Sequence, residues 1–289
     1  MKEISFYKMA ASGNDFVVID NRARKVSNLP ALTRAVCDRH RGVGADGVLL
    51  LEPLAEEKGD GPPKRGQSPF SSKKADFRVR IFNSDGSEAE ACGNGFRCVA
   101  LFAKEKLGLP NRQQFESLSG MIQAEVKGKR VRVRLANPNR LTGPEKIKVF
   151  DRQIHYYFVN TGVPHVVVFV EGLGKIPVFD LGKELRFHSR FRPAGTNVNF
   201  VEVTGPRSLS VRTYERGVEK ETLACGTGSA ASAVVSAHLE YVNPPVEVKT
   251  SGGEILTIDF AKKGDLLREI FLEGEATFIF EGRWAGRNR

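Results

Sequence analysis

Short apolar runs separated by turn-forming residues organise this chain. Met1-Lys2-Glu3-Ile4-Ser5-Phe6 alternates like a strand, and Ile4–Met9 and Asp15–Asp20 read as strands joined by the small-residue turn Ala10-Ala11-Ser12-Gly13-Asn14. Residues from about Pro30 to His40 predict a helix with proline near its first turn, and Gly47–Leu51 is a short, fully apolar strand. The stretch from Leu54 to Lys74 is rich in Gly, Pro, Ser and Lys and reads as a long mobile loop. A strand at Phe77–Asn83 leads to a helix from Gly93 to about Lys106, stopped by Gly108 with Pro110 two residues later. Alternation from Gln114 to Leu135 predicts hairpins.

The second half runs in a parallel order. A strand precedes Asn160-Thr161-Gly162-Val163-Pro164-His165, and Val166–Val170 follows it. A turn at Arg192–Gly195 precedes the strand Asn197–Val203, then come Leu209–Tyr214 and an Ala- and Val-rich helix from about Gly226 to Leu239. Strands resume at Val246–Thr250, Ile255–Phe260, Ile270–Leu272 and Ala276–Phe280. Three local matches set one half beside the other in the same order. Ser12-Gly13-Asn14-Asp15-Phe16-Val17-Val18 matches Thr161-Gly162-Val163-Pro164-His165-Val166-Val167. Arg80-Ile81-Phe82-Asn83 matches Arg212-Thr213-Tyr214-Glu215, and Glu90-Ala91-Cys92-Gly93-Asn94-Gly95 matches Leu223-Ala224-Cys225-Gly226-Thr227-Gly228. An internal duplication follows, with a cysteine motif at the centre of each copy.

Length and composition fit that picture. A chain of 289 residues suggests two domains, and 40% hydrophobic with 27% charged residues is ordinary for a folded soluble protein. No apolar run approaches the ~18 residues that cross a bilayer, and the N-terminus lacks the apolar region of a signal peptide. A cytoplasmic protein is expected. The four cysteines are too sparse for a secreted disulfide scaffold, and Cys92 and Cys98 fit neither a CxxC pair nor zinc-knuckle spacing, so reduced thiols are expected. The formal charge of +10 raises nucleic-acid binding. Much of the excess lies between Lys127 and Arg152, where Arg130, Arg132 and Arg134 alternate with Val131, Val133 and Leu135. Such a run reads first as a solvated sheet face.

The cysteine motifs carry the chemistry. In each copy a strand leads through a polar turn to Ala-Cys-Gly-Xaa-Gly and then a helix. The glycines let backbone approach a ligand, and helix-start amides with their partial positive charge suit a carboxylate. The same field lowers a thiol's pKa from about 8.5. One such cysteine could equally be a small buried hydrophobe; two in duplicated contexts suggest a paired acid and base. Inverting an amino-acid α-carbon requires such a pair, one group removing the proton from one face and the other returning it to the opposite face. No Gly-Xaa-Gly-Xaa-Xaa-Gly follows a strand, and there is no Gly-Lys-Ser/Thr phosphate loop or HExxH pattern.

These motifs resemble a known family. Asn83-Ser84-Asp85-Gly86-Ser87-Glu88-Ala89-Glu90-Ala91-Cys92-Gly93-Asn94-Gly95 is similar to the signature of diaminopimelate epimerases. So are Gly13-Asn14-Asp15-Phe16, Arg39-His40-Arg41-Gly42-Val43-Gly44-Ala45-Asp46-Gly47, Tyr214-Glu215-Arg216-Gly217 and Ala224-Cys225-Gly226-Thr227-Gly228. The resemblance implies interconversion of L,L- and meso-diaminopimelate without pyridoxal phosphate or metal, in lysine and peptidoglycan precursor synthesis. By that resemblance Cys92 and Cys225 are the two bases. Asn14, Asn83 and Asn197 hold polar groups of the substrate, and Glu215 with Arg216 recognises its distal amino-carboxylate end. The backbones of Gly93-Asn94 and Gly226-Thr227 bind carboxylate, and His165 lies near the catalytic centre. Arg216 also makes independent sense, because a guanidinium fork matches a carboxylate bidentately.

Three departures stand out. Ala10-Ala11-Ser12 replaces the family's usual His-Gly-Leu, Val163 replaces a common asparagine with Asn160 close by, and the Leu54–Lys74 connection is long. The expected fold is α/β (α+β), with two pseudo-symmetric domains, each a curved mixed sheet around a central helix and the site in the cleft between them. The expected boundaries are 1–136, with a C-terminal strand 275–289 returning to it, and 137–274. The resemblance implies a homodimer, with no nucleic-acid or membrane partner. A related racemase acting on another amino acid, and a basic non-catalytic binding protein, are the rival readings. Glu215-Arg216 argues against the first and the retention of both cysteines against the second.

Overall fold

The computed structural model describes residues 3–54, 75–263 and 266–286. Apart from Leu54, the long loop expected at Leu54–Lys74 lies outside them. Two compact units emerge: residues 1–131 with 275–289, and residues 132–274.

The first unit contains β1 (Ile4–Ala11), β2 (Asn14–Asp20), α1 (Leu29–Cys37), β3 (Gly47–Glu52), β4 (Phe77–Asn83), β5 (Glu88–Ala89), α2 (Gly93–Leu107), β6 (Arg112–Ser117) and β7 (Gly120–Lys127). The chain leaves it through β8 (Arg130–Arg134). The second unit follows with β9 (Asn139–Val149), β10 (Arg152–Asn160), β11 (Pro164–Phe169), α3 (Val178–Phe187), β12 (Asn197–Gly205), β13 (Ser208–Glu215) and β14 (Lys220–Thr222). It ends with α4 (Gly226–His238), β15 (Val246–Lys249), β16 (Ile255–Lys263) and β17 (Leu266–Glu275), after which β18 (Thr277–Trp284) belongs to the first unit.

Strand pairing repeats between the units in both order and sense. In the first, β18, β1 and β2 pair antiparallel in turn, β2 pairs β3 in parallel, and β3 pairs β4 antiparallel. Strand β4 then pairs β5 antiparallel and β6 in parallel, and β6 pairs β7 antiparallel. In the second, β9, β10 and β11 pair antiparallel in turn, β11 pairs β12 in parallel, and β12 pairs β13 antiparallel. Strand β13 pairs β14 antiparallel and β15 in parallel, and β15 pairs β16 antiparallel. One fold is built twice, as the three sequence matches imply.

In both units a sheet carries a helix on each face. Helix α2 packs on β1, β2, β3 and β7, and every residue from Asn94 to Ala103 is buried. On the opposite face α1 supplies Leu29, Leu32 and Val36 to a core with Val17, Ile19, Val48 and Leu50. Strands β2 and β3 are therefore buried on both faces, which is why Gly47–Leu51 reads as continuously apolar rather than alternating. Helix α4 packs on β10, β11, β12, β13, β15 and β16 and is buried almost all round. Its apolar and small side chains permit that. Its serines are accommodated partly by bonding back one turn, Ser229 to the Cys225 carbonyl and Ser232 to the Gly228 carbonyl.

Several elements differ from the sequence reading. Helix α3 is not apparent from the pattern, because Gly182 interrupts it; that glycine lets the helix lie directly on β13, where an added Cβ would sit 2.4 Å from Tyr214 Cβ. Strand β9 is mostly exposed and polar, so periodicity does not mark it. The arginines of β8 are half-buried rather than freely solvated: Arg132 pairs with Asp259 at 3.0 Å and lies over the Phe271 ring.

Candidate active site

Each unit presents a cysteine as the N-cap of its central helix. Cys92, half-buried and extended in backbone, precedes α2, and the Gly95 amide donates to its sulfur at 3.4 Å. Cys225, buried and likewise extended, precedes α4, with its sulfur 3.5 Å from the Thr227 hydroxyl. A thiol at a helix start meets backbone N–H groups and the positive end of the helix, which favour negative charge.

Around Cys92 the polar groups form a directed chain. Arg97, fully buried on α2, donates to the carbonyl of Glu275 and to the side-chain oxygens of Ser12 and Asn94. A guanidinium can only donate, so the Asn94 oxygen must face it, and the Asn94 amide nitrogen donates to Asn14 Oδ1 at 2.8 Å. Asn14 in turn donates to Asp46 at 3.0 Å. Arg39 bridges Asp46 and Asp15, and Lys8 pairs with Asp15. Burial alone would raise the Asp15 pKa, but hydrogen bonds from Arg39 and Lys8 outweigh it and hold the carboxyl at about 2. Both asparagines are thereby locked in orientation. Asn83 sits in an exposed turn at the end of β4, donating to the Ser87 hydroxyl at 3.0 Å.

The second unit gathers more of the expected residues. Asn197 on β12 donates to the Pro164 carbonyl and accepts from the Arg216 amide, tying the Arg216 turn to the start of β11. The Arg216 guanidinium donates to the Ala194 carbonyl at 3.1 Å. Burial pushes the Glu215 carboxyl above its ordinary range. Asn160 accepts from the Gly162 amide, and the Thr161 hydroxyl donates to the Thr227 carbonyl. His165 is wholly buried; burial first, and the Arg216 charge second, lower its pKa to about 3, so the ring is neutral. Beside it lie Asn199 and Thr213, which sequence reading misses. Gly228 lies against both and against the Cys225 sulfur: an added Cβ would sit 2.3 Å from Asn199 Oδ1 and 3.2 Å from both Thr213 Oγ1 and Cys225 Sγ. The alternation Asn197-Val198-Asn199 on a buried strand was the available signal. Among the described residues no group of three or more His, Cys, Asp or Glu is arranged to hold a metal ion, and no helix is long and apolar enough to cross a membrane.

A family model described as diaminopimelate epimerase matches residues 6–141 and 157–279. A diaminopimelate epimerase of Aquifex aeolicus (strain VF5) is 45% identical, over 97% of this chain and 97% of its own. This chain belongs to the diaminopimelate epimerase family. Another diaminopimelate epimerase, from Hydrogenobaculum sp. (strain Y04AAS1), is 41% identical over 95% of this chain and 96% of its own. A crystal structure of a Bacillus anthracis phenazine biosynthesis protein of the PhzF family superposes with a TM-score of 0.70. It covers 98% of this chain and 99% of that one at 15% identity, a likeness that establishes the fold alone. The family match spans both cysteine motifs.

Proposed function

We propose that this protein interconverts L,L- and meso-diaminopimelate by a two-base mechanism, with Cys92 and Cys225 as the acid–base pair. The observation that carries the reading is the repeated one: in a chain of this family, each unit caps its buried central helix with a cysteine. A thiolate removes the α-proton and becomes a thiol, and the bond's electron pair remains on the α-carbon beside the substrate carboxylate. The second thiol gives its proton to the opposite face and becomes a thiolate. The enzyme thus ends each turnover with its protonation states exchanged, and the reverse reaction starts from there. Developing negative charge meets the amides of Gly93-Asn94 and Gly226-Thr227, where fixed donors act without reorganising.

Asn14, Asn83 and Asn197 orient the substrate, and Arg216 with Glu215 takes its distal amino-carboxylate end. The locked amides of Asn14 and Asn94 support that assignment, since pre-set donors hold a ligand at low entropic cost. Asn160 supplies the amide that Val163 lacks. We place the enzyme in lysine and peptidoglycan precursor synthesis, in the cytoplasm, as a homodimer without a cofactor. Chiral chromatography after incubation with L,L-diaminopimelate tests this: meso isomer should accumulate to equilibrium and should not form with Cys92→Ala or Cys225→Ala. Unchanged turnover in either variant would overturn the assignment.

A further inference from the structure

The turn between β13 and β14 carries Arg216, and contacts on several sides fix its direction. The Glu219 amide donates to the Glu215 carbonyl at 2.8 Å and closes the turn. The Arg216 amide donates to Asn197, and the Arg216 guanidinium donates to the Ala194 carbonyl. Next along the chain, the Gly217 amide donates to Oε1 of Glu219 at 2.9 Å. The same oxygen accepts from Nε and Nη2 of Arg186, in the last turn of α3, at 3.2 and 3.0 Å. Arg186 also backs the other segment that touches Arg216. A Cβ on Gly195, the residue after Ala194, would collide with Nη1 of Arg186. One guanidinium thus braces both the turn that carries Arg216 and the segment that accepts its side chain.

Two features of Glu219 go beyond what a stable turn needs. Its backbone is left-handed, with a φ of 56°. Glycine adopts that conformation without steric cost, so a glutamate there is retained for its side chain. Three donors converge on Oε1, while Oε2 is buried with no hydrogen-bond partner among the described residues. Buried polar atoms are normally satisfied, and both the strain and the orphaned oxygen weigh against the turn. What the carboxylate secures is the direction of the backbone beside Arg216. Direction matters there, because a planar guanidinium meets a carboxylate with two parallel bonds only when the two are aligned.

We propose that Glu219, braced by Arg186, is a positioning residue that aims the Arg216 guanidinium at the substrate's distal carboxylate. The pair thereby sets selectivity for that end of the substrate. The proposal rests on the reading of Arg216 as the group that takes the distal end.

The test compares full-length variants by α-deuteration of L,L-diaminopimelate in D2O, with enzyme concentrated enough to follow slow ones. Glu219→Gly suits the left-handed backbone and should stay folded by circular dichroism. Its KM should rise about 10- to 100-fold, the scale of a lost hydrogen bond to a charged group, with a smaller fall in kcat. Glu219→Gln keeps the oxygen that serves Gly217 and Arg186, so its KM should stay within about fivefold of wild type. In an Arg216→Ala background, adding Glu219→Gly should lower kcat/KM by less than about twofold, because residues acting through one contact are not additive. Arg186→Gln removes the brace and leaves the turn residues in place, so it should show the same KM-weighted loss. Full additivity with Arg216→Ala, or a KM within about twofold of wild type in Glu219→Gly or Arg186→Gln, would overturn the proposal. So would a Glu219→Gln variant no better than Glu219→Gly. Failure of the diaminopimelate reading has a separate signature, since wild-type protein would then give no α-deuteration at all.

Discussion

Replacing Gly228 by alanine probes the packing behind Cys225. The new methyl would sit 2.3 Å from Asn199 Oδ1, so that oxygen or the helix has to retreat by about 1 Å to reach ordinary contact. Neither is free to move: the oxygen is held by Thr213 and Val166 through the same amide, and α4 is buried almost all round. Overpacking of this kind costs about 1–3 kcal/mol, and breaking the Thr213 bond about 1 more. The better helix propensity of alanine returns about 1 kcal/mol. A net loss of about 1–3 kcal/mol should lower the melting temperature by about 3–8 °C. Because the cluster adjoins Cys225, kcat/KM should fall about 100-fold. The duplication provides its own control. At Gly95, the matching position in the first unit, a methyl would sit 3.0 Å from the end of Leu49, 3.4 Å from Cys92 Cβ and 3.6 Å from Cys92 Sγ. Leu49 can rotate by the few tenths of an ångström required, so Gly95→Ala should melt within about 2 °C of wild type. Thermal denaturation with steady-state kinetics on both variants decides the matter. Gly228→Ala behaving like wild type, or Gly95→Ala proving the more damaging, would refute the packing described for α4.

Three other outcomes follow from the same contacts. Cys92→Ala and Cys225→Ala should each remain folded by circular dichroism and lose about 100- to 10,000-fold in kcat, the range associated with removing a general acid or base. Arg97→Met leaves the acceptors on Ser12, Asn94 and Glu275 unpaired, so it should cost about 3 kcal/mol or more in urea denaturation and raise KM as Asn94 and Asn14 lose their fixed orientation. His165 gives a pH signature: its folded pKa of about 3 lies below the ordinary 6.5, so its contribution is complete above about pH 6.5 and is lost as pH falls toward 3. The unfolded chain takes up a proton that the folded chain refuses, a slope of about 1.4 kcal/mol per pH unit, and His165→Gln should flatten that slope between about pH 6 and 4.

The duplication was legible because its marks are local. Cysteine followed by Gly-Xaa-Gly at each helix start, Gly108 at the end of α2 and the apolar run of β3 all express backbone or burial requirements that a single segment satisfies by itself. Features that depend on partners distant in sequence are not legible in this way. Helix α3 needs Gly182 to approach Tyr214, and β9 is held by its ladder with β10 and buries only Ile147 and Val149 at its end. Asn199 and Thr213 read as ordinary strand residues until β12 and β13 align them across the sheet. The place of Arg97 depends likewise on Ser12, Asn94 and Glu275, two of them distant in sequence. Asn14 shows the same limit in reverse, since its position was anticipated but not its bonds to Asp46 and Asn94.

The most direct test of two-base epimerisation follows solvent deuterium during the first turnovers. Reduced protein is incubated with L,L-diaminopimelate in D2O, and substrate and product are separated and examined by NMR while conversion is still low. With two thiols, the proton removed and the proton returned come from different groups, and the returning thiol carries solvent hydrogen. The meso product should therefore carry deuterium at the inverted carbon, while unreacted L,L substrate keeps its α-hydrogen. Deuterium appearing in recovered substrate as fast as in product, or product retaining the original hydrogen, would mean that one group serves both faces and would contradict the roles given to Cys92 and Cys225.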